Sequence, residues 1–142
     1  MAAWGVKNLH LAGSHELGGW CIEVVDCFEE GSTPLPSTLP TVVVSHYAPK
    51  GTKCGVGLDG VDVGSASVRH DLEQLGNARV LMCGHVFDPI AATDWAEGVF
   101  CVNAGVSYWE HNTQPAFALV DLDRRSVQVD SGLYTNSYSF AQ

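Results

Sequence analysis

The sequence predicts an α/β (α+β) fold that is β-rich and built on mixed sheets, with one helix covering a sheet face. Three observations predict it. Two short aliphatic runs, TVVVSH (41–46) and RVLMC (79–83), suit strands buried on both faces. Between them, SASVRHDLEQLG (65–76) carries the one clear helical pattern. The last third then alternates apolar runs with turns: VFCVN (99–103), AFALVDL (116–122) and SVQVD (126–130). A strand, a helix, a strand and further strands, in that order, imply a sheet with the helix packed across it.

In chain order, the turn-forming pair Gly18-Gly19 opens WCIEVV (20–25), which reads as a strand. EEGSTPLPSTLP (29–40) carries three prolines with Gly, Ser and Thr, so it is a loop. The buried strand TVVVSH follows, and then a glycine-rich loop from Tyr47 to about Gly64. In the helix, Val68, Leu72 and Leu75 share one face, Ser65 or Ser67 can cap the start, Asp71 falls early and Gly76 ends it. The tail SGLYTNSYSFAQ (131–142) has weak periodicity and is expected to fray. At 142 residues without an internal repeat, the chain reads as one domain with room for a real core.

Sixteen acidic residues against seven basic ones give a net charge of −9, and no basic patch is visible. Such a chain repels phosphate backbones, so nucleic acid is not an expected partner. The charge either keeps the domain dissolved or leaves carboxylates and histidines to meet a cation. No apolar run reaches the roughly eighteen residues that a spanning helix needs, so no membrane is expected. MAAWGVKNLHLAG lacks the basic start and apolar stretch of a secretory signal, which makes the cytoplasm the expected location. Five irregularly spaced cysteines without a CxxC pair fit no zinc ribbon or thioredoxin motif and suggest a reducing compartment. Cys83 and Cys101 sit inside apolar runs and read as small core residues.

The chemistry gathers at strand ends. VVVSH ends on His46 and VLMCGH on His85, each with a proline within four residues. In open sheets, residues just past the carboxyl ends of neighbouring strands converge on one crevice. Two imidazoles delivered there can ligate one divalent metal through neutral nitrogens; the rival reading is two unrelated histidines at strand ends. Gly84 favours the first, since a glycine beside a ligand lets backbone approach closely. Asn103 and Gly105, in the turn after VFCVN, are weaker candidates for lining the same crevice, with Gly84. GVGLDG (55–60) formally satisfies GxGxxG, yet it follows a loop rather than a strand and reads as a turn. His70, beside Asp71 on the helix, reads as a solvated face residue, and His10, His15 and His111 have no partner spacing. No residue is assigned as catalytic.

In this order, the strand-end elements resemble the calcineurin-like metallophosphoesterases. VVVSHYAPKG (42–51) is similar to the stretch with the family's His-x-Pro-Pro motif, and DVGSASVRHDLEQL (62–75) to its "VGS…L" helix. LMCGHVF (81–87) is similar to Gly-His-x-His and FCVNAGV (100–106) to the Asn-x-Gly turn. LHLAGSHELGGWCIEV (9–24) resembles the family's hairpin, so the resemblance covers roughly residues 4–125. It implies the C-terminal part of a four-layer sandwich, two mixed sheets with helices outside, as a single partial domain. It also implies hydrolysis of phosphoesters by two metal ions that activate a bridging water.

Carried over residue by residue, the resemblance gives His46 and His85 to the family's second metal. Ala48 stands in place of the first proline of His-x-Pro-Pro, and Phe87 in place of the histidine that would serve the first metal. The Asp-x-His, Gly-Asp and Gly-Asn-His-Asp ligand motifs are absent from the sequence. Two imidazoles without a carboxylate hold Mg²⁺ or Mn²⁺ poorly, and Zn²⁺ wants three or four ligands, so weak binding of a divalent metal (Mn, Fe, Zn or Mg) is expected. Three readings stay open. The chain is a truncated or split metallophosphoesterase, a degenerate binding or regulatory module, or a small metal-binding domain that recruits further ligands such as Asp88 or Asp59. If active, its substrate is a phosphorylated small molecule or other phosphoester. Without the family's N-terminal strands, exposed apolar surface and an unpaired edge imply a homodimer, an N-terminal partner chain or marginal stability.

Overall fold

A computed structural model describes residues 13–25, 37–105, 116–130 and 135–140. Nine strands and one α-helix follow in chain order among them. Gly13–Leu17 (β1) and Trp20–Val25 (β2) form an antiparallel hairpin that closes on the pair Leu17 and Trp20. Gly18 and Gly19 make its two-residue turn at φ +56° and +80°, which the handedness of a tight hairpin favours. Thr41–Ser45 (β3), Ala78–Cys83 (β4) and Val99–Asn103 (β6) then line up parallel beside β2, and Thr93–Ala96 (β5) closes the far edge antiparallel to β6. The result is a six-stranded mixed sheet in the order β1-β2-β3-β4-β6-β5. Phe117–Asp121 (β7), Ser126–Asp130 (β8) and Thr135–Ser139 (β9) form a separate three-stranded antiparallel sheet.

The two faces of the mixed sheet have different covers. Val43, Leu81 and Cys101 point to one face, where Val68 and Leu72 of the helix Ala66–Gln74 (α1) and its C-cap Leu75 pack on them. Val42, Val80, Phe100 and Val102 alternate to the other face and meet Val127, Val129 and Phe140 of the second sheet. Strands buried on both faces need apolar residues at every position, which is why β3 and β6 read as continuous aliphatic runs. Fully burying one such side chain stabilises the fold by about 1.5–3 kcal/mol relative to exposing it. Ser65 is the residue that caps α1: its hydroxyl accepts the N–H of Val68 at 3.2 Å. No helix among the described residues is long and apolar enough to cross a membrane.

Two expectations change. The stretch 131–142 was expected to fray, yet residues 135–139 pair with β8 and Phe140 is buried against Phe100. Periodicity misses this strand because its residues are mostly exposed. The second sheet is antiparallel throughout, where the resemblance implied a second mixed sheet. Among the described residues there are three layers, helix, sheet and sheet. Residues 37–40 form no strand, as the proline-rich loop predicts, while 29–36 lie outside the described residues, as do His10, Cys27 and His111.

Candidate functional site

His46 follows directly on β3, and His85 stands two residues beyond β4. Because these strands are parallel neighbours, their carboxyl ends deliver both rings to one place. Nε2 of His46 lies 3.0 Å from Nδ1 of His85, with ring centroids 4.9 Å apart. That separation is a direct ring-to-ring hydrogen bond, with one imidazole donating to the other; two ring nitrogens held this close can also share one zinc ion, at about 2.0–2.1 Å from each, once their lone pairs turn toward it. Both rings are exposed, so a cation can reach them from solvent. Tyr47 packs against both, its ring centred 4.8 Å from that of His46 and 4.5 Å from that of His85. Sequence reasoning passed over Tyr47; its only signal was adjacency to His46.

His46 is held by its own loop. The residues after it zip onto the start of α1, with Ser65 N–H donating to Ala48 O at 2.8 Å and Lys50 N–H to Ser65 O at 3.0 Å. Its carbonyl accepts the N–H of Gly84 at 3.2 Å, which ties the two strand ends together.

His85 is held under strain. It has φ +66°, the left-handed region that non-glycine residues rarely enter. Val86 N–H donates to Gly84 O at 2.8 Å around it, closing a three-residue turn with His85 at its centre. Such a conformation costs on the order of 1–3 kcal/mol and persists only where its surroundings enforce it. Asn103 enforces it. Its Nδ2 donates to Gly84 O at 3.2 Å and Val86 O at 3.1 Å, on either side of His85, and to Cys54 O at 3.1 Å. Its Oδ1 accepts the N–H of Gly105 at 2.9 Å. Every polar atom of the amide is used, and flipping it would set its oxygen against three carbonyls.

The crevice-lining role expected of Asn103 is therefore revised. Asn103 is 1% exposed and offers a ligand no surface; it is a positioning residue for His85. Gly105, at φ +66°, lies where an added Cβ would come within 2.6 Å of Phe87 O, so it supports the same turn from below. At Gly84 a Cβ would meet only His46 O, at 4.0 Å, so packing within the protein does not itself require a glycine there.

Phe87 is 59% exposed on a groove of about 600 Å³ that Leu58, Val61, Val63, His85 and Asp88 also line. Oδ2 of Asp88 is buried without a hydrogen-bond partner among the described residues. Asp59 accepts the N–H of Val61 and serves its own turn. Among the described residues no three His, Cys, Asp or Glu side chains come together as a metal-binding group, so neither Asp88 nor Asp59 joins the histidines. Among the described residues the donor set is two imidazoles. It fits part of a transition-metal site and does not fit a two-metal hydrolytic centre, which needs bridging carboxylate and further ligands.

Cys21, Cys54, Cys83 and Cys101 are all free. Burial, with the Asp94 carboxylate adding to it, pushes the Cys54 thiol up to about 12. Burial followed by neighbouring Cys54 and Asp94 pushes Cys101 up to about 12 as well, and burial also raises Cys83. Raised thiols are poor nucleophiles and poor metal ligands, so Cys54, Cys83 and Cys101 act as core. No protein-family model and no curated protein sequence matches this chain.

Proposed function

We propose that this chain is a relative of the calcineurin-like metallophosphoesterases that keeps two histidines of one metal site and, by itself, hydrolyses phosphoesters weakly or not at all. The observation that supports it most is the 3.0 Å approach of Nε2 of His46 to Nδ1 of His85 at the ends of two parallel strands. The order of motifs along the chain agrees with that lineage. His46 and His85 would hold one divalent transition-metal ion, which supplies Lewis acidity when bound. The chain's own residues then orient and hold: Asn103 fixes the turn that carries His85, and Tyr47 backs both rings. The free thiols agree with a reducing, cytoplasmic location.

A second reading, a non-catalytic binding or regulatory module, is favoured by one further observation. Phe87 occupies the position of the family's other histidine and is exposed together with Leu58, Val61, Val63 and Ile90. An apolar apron beside a half-furnished metal site suits a covering chain, either a second copy or a partner that brings the remaining ligands. Hydrolysis separates the readings. With Mn²⁺ or Zn²⁺ added, turnover of an aryl phosphate is expected to match that of a His46→Ala/His85→Ala double variant. Turnover that both single variants abolish would instead make the isolated chain a working phosphoesterase.

A further inference from the structure

A second pocket lies at the opposite end of the same strands. Trp20 begins β2, Pro40 precedes β3, Arg79 lies near the start of β4 and Gly98 precedes β6; with Trp95 of β5, and with Arg125 and Phe140 from the second sheet, they line a cavity of about 230 Å³. From Pro40 to His46 the chain runs the length of β3, about 20 Å at strand rise, so this cavity is separate from the histidine pair.

Its two arginines stand out in a chain of net charge −9 with seven basic residues. Among the described residues, neither Arg79 nor Arg125 has a carboxylate partner, whereas Lys50, Arg69 and Arg124 each pair with one. Each sits at a backbone irregularity. Thr41 pairs with Ala78 and Val42 with Val80, so Arg79 is the extra residue of a β-bulge, a device that re-aims a side chain. Arg125 has φ +50° at the end of the β7–β8 turn, where a glycine or asparagine would be less strained. Arg79 donates through Nη1 to the carbonyls of Ala78 at 3.0 Å and Gly76 at 3.4 Å, which leaves most of its five N–H donors for another acceptor. Three of the other lining residues are aromatic. Trp20 and Phe140 are buried, and Trp95 is 43% exposed while its ring packs edge-on at 5.1 Å from Phe100.

We propose that this cavity binds a one-ring aromatic oxyanion, a carboxylate or a phosphate monoester, with the ring against Trp20 and Trp95 and the anion held by Arg79 and Arg125. The volume admits a single ring and a small head group. Planar guanidinium groups match two-oxygen anions, and indole faces match a flat ring. A protein this acidic attracts anions nowhere else on its described surface with two unpaired arginines, so the charge recognition is local and salt-sensitive.

The test is calorimetric titration of the full chain, with tryptophan fluorescence as a second readout, using benzoate, phenyl phosphate, inorganic phosphate and benzyl alcohol at fixed ionic strength. The two aromatic anions are expected to bind saturably, one per chain, and the ringless and uncharged probes at least about tenfold more weakly. Tighter phenyl phosphate assigns the phosphate form and tighter benzoate the carboxylate form; either result supports the site. Arg79→Ala and Arg125→Gly, the latter tolerating the left-handed backbone, should each weaken binding about tenfold. His46→Ala and His85→Ala should leave it unchanged. Absence of saturable binding, equal binding of inorganic and phenyl phosphate, or full binding by the Arg79→Ala/Arg125→Gly double variant would overturn the proposal.

Discussion

Nε2 of His46 and Nδ1 of His85 stand 3.0 Å apart although 39 residues separate them in the chain. Parallel pairing of β3 with β4 brings the strand ends together, and the Gly84 N–H to His46 carbonyl bond fixes their offset. The rings then meet because the Asn103 amide holds His85 in a turn it would not adopt by itself.

Replacing Asn103 tests that last step. Asn103→Ala leaves three carbonyls and one N–H of the buried turn without their side-chain partner, and stability measured by urea unfolding is expected to fall by about 2–4 kcal/mol. Asn103→Asp should be at least as damaging, because it sets a carboxylate oxygen where the amide donor faced three carbonyls. In whatever fraction folds, metal affinity should fall as well. A loss of stability with metal affinity intact would reduce Asn103 to a core brace without influence on His85.

Two glycines beside the site should respond in opposite ways. Gly105→Ala forces a Cβ within 2.6 Å of Phe87 O at a left-handed φ, and unfolding studies should show a loss of about 2 kcal/mol or more. Gly84→Ala meets only open space and His46 O at 4.0 Å, so its effect should stay within about 0.5 kcal/mol.

The buried thiols make stability depend on alkaline pH. Cys54 and Cys101 stay protonated in the folded chain up to about 12, from an ordinary value of 9.0. In the unfolded chain they ionise from the lower value. Stability is therefore level well below pH 9 and declines as pH rises through 9 towards 12, by about 1.4 kcal/mol per thiol at pH 10. Urea midpoints at pH 7.5, 9 and 10.5 under reducing conditions check this, and Cys101→Ala should flatten the slope.

Legibility followed burial. The runs at 41–45, 99–103 and 126–130 were readable because covered faces demand apolar side chains. TDWA of β5 and TNSYS of β9 were not, because their strand character comes from the partners they pair with rather than from their own pattern. The histidine pair was readable from the rule that parallel strand ends converge. The role of Asn103 was not: an asparagine before small residues looks like a turn former, and its partners Cys54, Gly84 and Val86 come from distant stretches. The bulge at Arg79 exists only in the register between β3 and β4, so no local pattern announces it.

The central claim is that His46 and His85 take one cation between them, and titration of Zn²⁺ into the metal-free chain and its two single alanine variants measures that most directly. One ion per chain should bind, through a partner copy or solvent ligands where further donors are needed, and each variant should lose at least about tenfold in affinity. Zn²⁺ affinity unchanged by either His46→Ala or His85→Ala would contradict a shared site.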